Sequence, residues 1–600
     1  MNSPMRLAPV AVAGPAAMID SPSALVIRPG LVVDNAVDMA VGRTELGKFS
    51  CSLVGNAIYG NEALLSASQL VSAIEQSGSV DRFVDSWGRR AKNPSASIIA
   101  DHSGGRVLVL PDPLGGCIVF TYESGGTKFV SPDLESLVKA ADSRGLKPKK
   151  SLTYQLERSV IGNGGLTPAS YAGVEALQMM DYFQLDLGGS GSLSYPVKRE
   201  FLSPGSSYSA VLDDYRHDIL ESLEAIAAID EYRIAHLTGG FDSRLVLAGI
   251  MNGQLESRFR YFCSGPVGTV DRDTADGLAA SLGIIRTHDA GLSMATPGSV
   301  EEKFLAPMTN SAGLTSSGPL GGEEYSGRVV AGGGYGGLLR SVYSTYVSSS
   351  LDQIAPDLIA EKLWGATAMA TDGLMTQSSK EGIVARLGES LRELKDDGYE
   401  DDYLADAFYL TGRNRYHFGQ TSMLWSKVGR RYDPLYSLHG PRLARMLPVN
   451  SRKTNVAGFD VMASMQPDLL AYPFDKYRFG GEYGNLRRIP AVKSFVSSSA
   501  KFESHAAKAR GPVAAVVDPE LRQKHVVLSR KLKVNFWQIE SMAATQAGLA
   551  DLLRDLDISD LGEAVNPDYV RLLAKRPLRT RPQIRHLYAV YSMLLWYTKP

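Results

Sequence analysis

The chain is 600 residues long, several typical domain lengths, and its 63 Lys+Arg against 64 Asp+Glu give a net charge of -1, which excludes a chain-wide basic field for nucleic acid or an anionic membrane. A hydrophobic fraction of 44% and a charged fraction of 21% belong to a folded protein, not a disordered one. The three cysteines, Cys51, Cys117 and Cys263, stand far apart and in no CxxC or Cys/His spacing, so a disulfide scaffold is excluded and no zinc pattern is present.

In chain order, residues 1–45 contain an Ala-rich stretch broken by Pro and Gly, too short and interrupted to span a membrane, and are read as an extension. No later segment has the run of about 18 apolar residues that a spanning helix needs, so a cytoplasmic protein is expected. Over 46–150 the β-branched runs KFSCSLVGNAIYG and SASIIADHSGGRVLVLPDPLGGCIVFTYESGGTKFVS, broken by His-Ser-Gly-Gly, Pro-Asp-Pro and Glu-Ser-Gly-Gly, predict consecutive hairpins. The Gly/Ser-rich LGGSGSLSYP then marks a domain boundary near 190–207. From 208 the pattern alternates: a long amphipathic helix (YSAVLDDYRHDILESLEAIAAI), a strand (YRIAHL), a glycine turn, a helix (SRLVLAGIMNG), a strand (FRYFCSG), a helix (DTADGLAASLG) and a strand (IIRTHDA). That order predicts a parallel sheet. Residues 351–470 and 495–600 read as mostly helical.

The sharpest local signal is HLTGGFDSRLVLAG at 236–249. A strand ends at Leu237, Thr238-Gly239-Gly240 turns the backbone where side chains would block a ligand, and Asp242-Ser243 open a helix whose N–H groups and dipole favour an anion. The pattern builds a phosphate or pyrophosphate cradle. Asp242 offers a carboxylate to a divalent cation bridging phosphates. The plainer interpretation is a strand-to-helix turn with an Asp/Ser cap.

This run resembles the S-G-G-x-D-S pyrophosphate loop of the N-type ATP pyrophosphatases, and the wider arrangement resembles the asparagine synthetase family, with Thr238 for the usual Ser and Arg244 for a second Ser. The strand and turn FRYFCSG, with Phe262 and Ser264, are similar to those that hold adenine there. DRDTADGLAASLGIIRTHDAG is similar to the helix and following His-acidic pair, here His288-Asp289. Upstream, IIADHSGGRVLVLPDPLGGCIVFTYESGGTKFVSPDLESLVKA resembles that family's glutamine amidotransferase domain. Its N-terminal nucleophile is missing, since position 2 is Asn2 and Cys51 reads as a core strand residue.

The resemblance implies an α/β fold: a degenerate Ntn-amidotransferase-like αββα layer domain over 46–205, a parallel-sheet adenine nucleotide α-hydrolase-like domain over 206–490, and a helical extension over 491–600. A glutaminase fold without its nucleophile, joined to an ATP site, resembles the branch of β-lactam synthetases, carbapenam synthetases and lasso-peptide cyclases. It implies ATP and Mg²⁺ as cofactors, with Leu237, Thr238, Gly239, Gly240, Asp242, Ser243, Phe262, Ser264, Gly332, Gly333 and Gly334 on the nucleotide and Asp242 on the metal. The implied reaction adenylates a carboxylate, releasing pyrophosphate, and an amine then closes an amide without glutaminase activity. The favoured expectation is macrolactam closure of a lasso precursor peptide, with a leader-removing protease as partner. The rivals are a small-molecule β-lactam or amide synthetase and a non-catalytic nucleotide-binding homologue.

The sequence also departs from that pattern. In RVVAGGGYGGLLR, Gly333 and Gly336 stand where carboxylates, or a Tyr at the first position, are usual. Tyr335, Glu323 and Glu324 are the candidate replacements. In RNRYHFGQTSMLWSKVGRRYDPLYS, Ser437 replaces an Asp, and Arg415 or Tyr416 is nearest to the position of a catalytic Glu, with His417 as a possible base. Lys476 in DKYRFGG is the candidate for the lysine that stabilises adenylation, with Arg478 and Lys493 as competing positions.

Overall fold

The computed structural model describes residues 9–13, 25–28, 31–34, 39–162, 164–186, 190–203, 205–264, 268–288, 299–316, 318, 327–343, 374–475, 493–497, 499–503, 519–556, 561 and 564–599. Its first half is two six-stranded antiparallel sheets. One contains, in spatial order, β13 (Val174–Ala176), β11 (Phe120–Ser124), β12 (Thr127–Ser131), β1 (Val10–Ala13), β3 (Leu31–Asp34) and β2 (Leu25–Arg28). The other contains β15 (Ser190–Ser194), β14 (Asp181–Leu185), β10 (Arg106–Pro111), β9 (Ser95–Asp101), β5 (Gly47–Gly55) and β4 (Ala40–Thr44). A third, small sheet joins β6 (Ala57–Tyr59), β7 (Glu62–Leu64) and β8 (Ala91–Lys92).

Side-chain alternation along each strand explains the layering. From β9 and β10, Ile98, Ala100, Val107 and Val109 point between the sheets, where Ala11, Leu31 and Val33 meet them. The intervening Ile99, Leu108 and Leu110 point outward beneath α1 (Ala67–Gln76) and α2 (Val80–Arg90), joining Leu70, Ile74, Phe83 and Trp87. On the opposite face, Val10, Val12, Phe120 and Phe129 lie under Leu134 and Leu137 of α3 (Leu134–Asp142). The result is helix, sheet, sheet, helix. The hairpins expected at 95–131 are present, and Gly125 and Gly126, both at positive φ, make the two-residue turn between β11 and β12.

One boundary is corrected. Residues 1–45, set apart above as an extension, supply β1, β2 and β3 to one sheet and β4 to the other, with β1 between β12 and β3. Four-residue strands are too short to reveal a period, and Val10, Ala11 and Val12 are all buried, so the polar alternation that marks a half-exposed strand is missing.

After α4 (Leu152–Ile161), α5 (Val197–Leu202) and α6 (Tyr208–Ala228) comes a four-stranded parallel sheet ordered β17 (Arg260–Phe262), β16 (Tyr232–His236), β18 (Arg328–Ala331), β19 (Arg430–Tyr432). Helices α7 (Phe241–Asn252) and α8 (Val270–Leu282) follow β16 and β17, as the alternating pattern predicts. The predicted strand at 284–290 is reduced to single bridges at Arg286 with Tyr261 and Phe502. The later helical region does not stand apart. The helix Arg581–Thr598 packs on α4 and on α9 (Val300–Asn310), and Lys150 Nζ donates to the Trp596 carbonyl at 2.9 Å. No described helix is long and apolar enough to cross a membrane.

Candidate functional site

From β16 the chain moves to β17 on one side and later to β18 on the other, so the carboxyl end of β16 is a topological switch point, where open α/β sheets leave a crevice for ligands. Both glycine loops singled out in the sequence emerge here. Gly240 caps α7 with extended backbone, φ -78° and ψ 171°, and no side chain closes the helix end. The first-turn N–H groups of this twelve-residue helix are therefore without a side-chain cap, with the dipole behind them and the loop at Gly333 packed close to Ser243 N.

The Thr238-Gly239-Gly240 turn is tied internally. Thr238 N donates to Ser243 Oγ at 3.0 Å, Gly240 N to Thr238 Oγ1 at 3.1 Å, and Gly239 N to the Asp271 carboxylate at 2.6 Å. Leu237 N continues the sheet by donating to the Phe262 carbonyl at 2.7 Å. Arg244 is fully buried. It donates to the carbonyls of Tyr472 and Pro473 and stacks on Phe474, with 3.7 Å from guanidinium to ring centre. It thereby fixes the segment from which Asp475 N donates to the Gly239 carbonyl at 2.9 Å.

The second loop closes on the first. A Cβ on Gly336 would lie 2.7 Å from Asp242 Oδ1, so glycine permits the approach there, and one on Gly333 would make a tight contact at 3.2 Å with Ser243 N. Gly332 and Gly334 wrap a different carboxylate. Asp433, directly after β19, accepts from Gly334 N at 3.1 Å and Ser422 Oγ at 2.6 Å, and a Cβ on either glycine would meet it at 2.5–2.6 Å. Asp242 itself faces Arg340, whose Nη1 and Nη2 donate to its two oxygens at 2.7 and 2.8 Å.

The implied cofactors fit unequally. The chemistry of a phosphate seat is present: an uncapped helix N-terminus, the hydroxyls of Thr238 and Ser243, and the Arg340 guanidinium. A divalent metal does not fit, which corrects the expectation for Asp242. Both its oxygens are taken by Arg340, and a Cβ at position 336 would already lie 2.7 Å from one of them.

Tyr335 is corrected as well. Its backbone is left-handed at φ 68°, and its ring turns away from Asp242 into the seam between the sandwich and the parallel sheet, 4.8 Å from the Tyr436 ring and against Gly116. Burial and the nearby Asp112 push its hydroxyl far above the usual tyrosine range, so it is no base near neutral pH. Glu323, Glu324 and Lys476, with Arg478 and Asp289, lie outside the described residues.

Arg415 and Tyr416, on a wide helical turn spanning Tyr409–Gly419, also belong to the seam. Arg415 donates to the carbonyls of Gly115 and Leu177, and Tyr416 to that of Pro168. His417 is pulled down to about 4 by burial and by Arg413 and Arg431, so it stays neutral. Phe262 sits half-buried at the end of β17, 5.9 Å from the His236 ring, and Ser264 is exposed just beyond it. The residues that sequence reading missed are Arg340, Asp271, Asp433 and Asp475. No strand was expected before Asp433, because β19 lies within the stretch 351–470 that reads as mostly helical.

No family model and no curated protein matches the chain. Among solved structures it is similar to the glutamine phosphoribosylpyrophosphate amidotransferase from B. subtilis complexed with ADP and GMP, at 13% identity, covering 49% of this chain and 64% of that one, with a TM-score of 0.17. The match spans less than two thirds of that enzyme, and its score is too low to carry an argument about function.

Proposed function

We propose that the chain is an ATP-dependent, amide-forming synthetase of the asparagine synthetase kind, without glutaminase activity, that closes a precursor peptide into a macrolactam. The observation that carries this reading is the seat at the switch point: the end of β16, the Thr238-Gly239-Gly240 turn and the uncapped start of α7, faced by Arg340. Bound ATP supplies a leaving group to a carboxylate oxygen. The chain's part is to hold the phosphates at the α7 N–H groups and Arg340, with Thr238 and Ser243 as neighbouring hydroxyls. Holding an amine of the same substrate beside the acyl carbon then supplies a large effective molarity.

The source of the amine follows from the sandwich, whose helix, sheet, sheet, helix layering supports the amidotransferase-like assignment. All three cysteines are buried. Burial and Glu75 push the Cys51 thiol up to about 12, which removes the thiolate a glutaminase would use. A leader-removing protease is the partner this reading requires, and a small-molecule carboxylate would use the same chemistry on a smaller acceptor. One observation favours a second reading, a non-catalytic nucleotide-binding homologue: the Asp271 carboxylate already occupies the Gly239 N–H.

The test is AMP and pyrophosphate formation from ATP with candidate precursor peptides, in the wild type and in Gly240→Asp. The backbone at 240 suits an Asp N-cap, and an added Cβ has Thr238 Oγ1 as its nearest neighbour at 3.2 Å, so the variant keeps the fold while its carboxylate takes the anion seat. Turnover is expected to ignore glutamine and to fall by about 100-fold or more in Gly240→Asp. Equal turnover in both proteins would sink the seat. ATP binding without turnover on any substrate would select the non-catalytic reading.

A further inference from the structure

We infer that Arg340 is a resident cation that replaces a divalent metal, so that the seat at α7 takes a pyrophosphoryl group without one. The ligand class rests on the synthetase reading above, whereas the cation assignment rests on geometry. Arg340 meets Asp242 through a two-pronged pair at 2.7 and 2.8 Å, with both side chains only about a quarter to a third exposed. Two of the five guanidinium N–H groups serve Asp242, which leaves Nε–H and the outer N–H of each Nη for phosphoryl oxygens.

The pair is held from several directions. The Arg340 guanidinium lies 6.0 Å from the centre of the Phe241 ring in the first turn of α7. On the next residue, Ser341 N donates to the Arg452 carbonyl at 3.2 Å and Ser341 Oγ to Asp406 at 2.5 Å, while Arg452 itself donates to Asp406 at 2.9 Å. The glycines complete the argument. A metal at this point would need an oxygen of Asp242, yet both accept from Arg340, and even a Cβ at Gly336 would strike Asp242 Oδ1, so position 336 offers no second carboxylate. The glycine loop thus lies against Asp242 and ends in the arginine that supplies the charge. Asp242 is then a counter-ion that aims Arg340, not a ligand.

The two roles of Asp242 predict opposite signs. The probe is inorganic pyrophosphate, titrated calorimetrically into the full chain in EDTA and again in excess Mg²⁺. The wild type is expected to bind in EDTA with a Kd within about threefold of that in Mg²⁺, because no protein-held metal contributes. Arg340→Met is expected to weaken binding in EDTA by about tenfold or more, and Asp242→Asn, which leaves the guanidinium uncompensated, to keep or tighten it. Thermal melts verify that each variant is folded, and Asp242→Asn decides the sign should Arg340→Met fail to fold. Binding that requires Mg²⁺ and weakens in Asp242→Asn would overturn the resident cation and leave the synthetase reading standing. Absence of pyrophosphate and ATP binding under both conditions would overturn both.

Discussion

Two carboxylates, Asp112 in the sandwich and Asp242 on the parallel sheet, are satisfied in opposite ways. Asp112 is fully buried and accepts from the N–H groups of Ser95, Gly116 and Cys117 and from the Tyr436 hydroxyl at 2.5–3.3 Å. Four neutral donors, three of them backbone, surround it. Asp242 is partly exposed and is held by one cation, Arg340. The first arrangement ties the sandwich to the sheet through one of its donors, because Tyr436 follows β19 and Asp112 follows β10. The second puts a single charged partner, from the loop after β18, on both oxygens. The two carboxylates are thus distinguished by donor identity rather than by proximity to a glycine turn.

The largest expected effect comes from breaking the first. Asp112→Ala leaves four donors buried without an acceptor, each costing about 1–3 kcal/mol, so a loss of about 4 kcal/mol or more is expected by urea denaturation, with no direct contact to the crevice altered. The pH dependence sharpens the point. Burial pushes the Asp112 carboxyl from 3.8 up to about 6 despite its donors. The folded chain therefore holds this proton more tightly than the unfolded chain does. Its contribution is complete below about pH 4, is lost as pH rises towards about 6, and amounts to about 3 kcal/mol. Denaturation curves across that window should show this component in the wild type and lack it in Asp112→Ala.

At Asp242 the scale is smaller. Asp242→Asn is expected to cost about 1 kcal/mol, since the pair is partly solvated, while moving pyrophosphate affinity in the opposite sense to a metal ligand. Smallest of all, Gly240→Asp should raise stability by roughly 0.3 kcal/mol through its new cap. A stability change as large at Asp242 as at Asp112 would erase the contrast.

The turn at 236–249 was legible because everything that shapes it is local: a strand, two glycines and a helix start within fourteen residues. The hairpins around Gly104-Gly105 and Gly125-Gly126 were legible for the same reason. Arg340, Asp271 and Asp475 were not, because the tertiary fold brings them to the turn from about 30 to 235 positions away in sequence, where no period or spacing connects them. Tyr335 was misread because its number places it beside Gly336 and Asp242, whereas its positive φ swings the ring to the opposite side. The close approach of Gly336 to Asp242 was not legible either, since it depends on a contact between positions 94 apart.

The helix Arg581–Thr598 lies against α4, and the Lys150 to Trp596 contact joins positions 446 apart. At about 5–20 residues per second, a ribosome needs on the order of 20–90 seconds to make the intervening chain. For that interval the nascent sandwich exists with the docking face of α4 uncovered, including the buried Arg158, whose Nη2 later pairs with Ser592 Oγ at 3.2 Å. Maturation therefore finishes late and from a distance, and slowed translation or chaperone depletion should trap a species with a formed sandwich and an open flank.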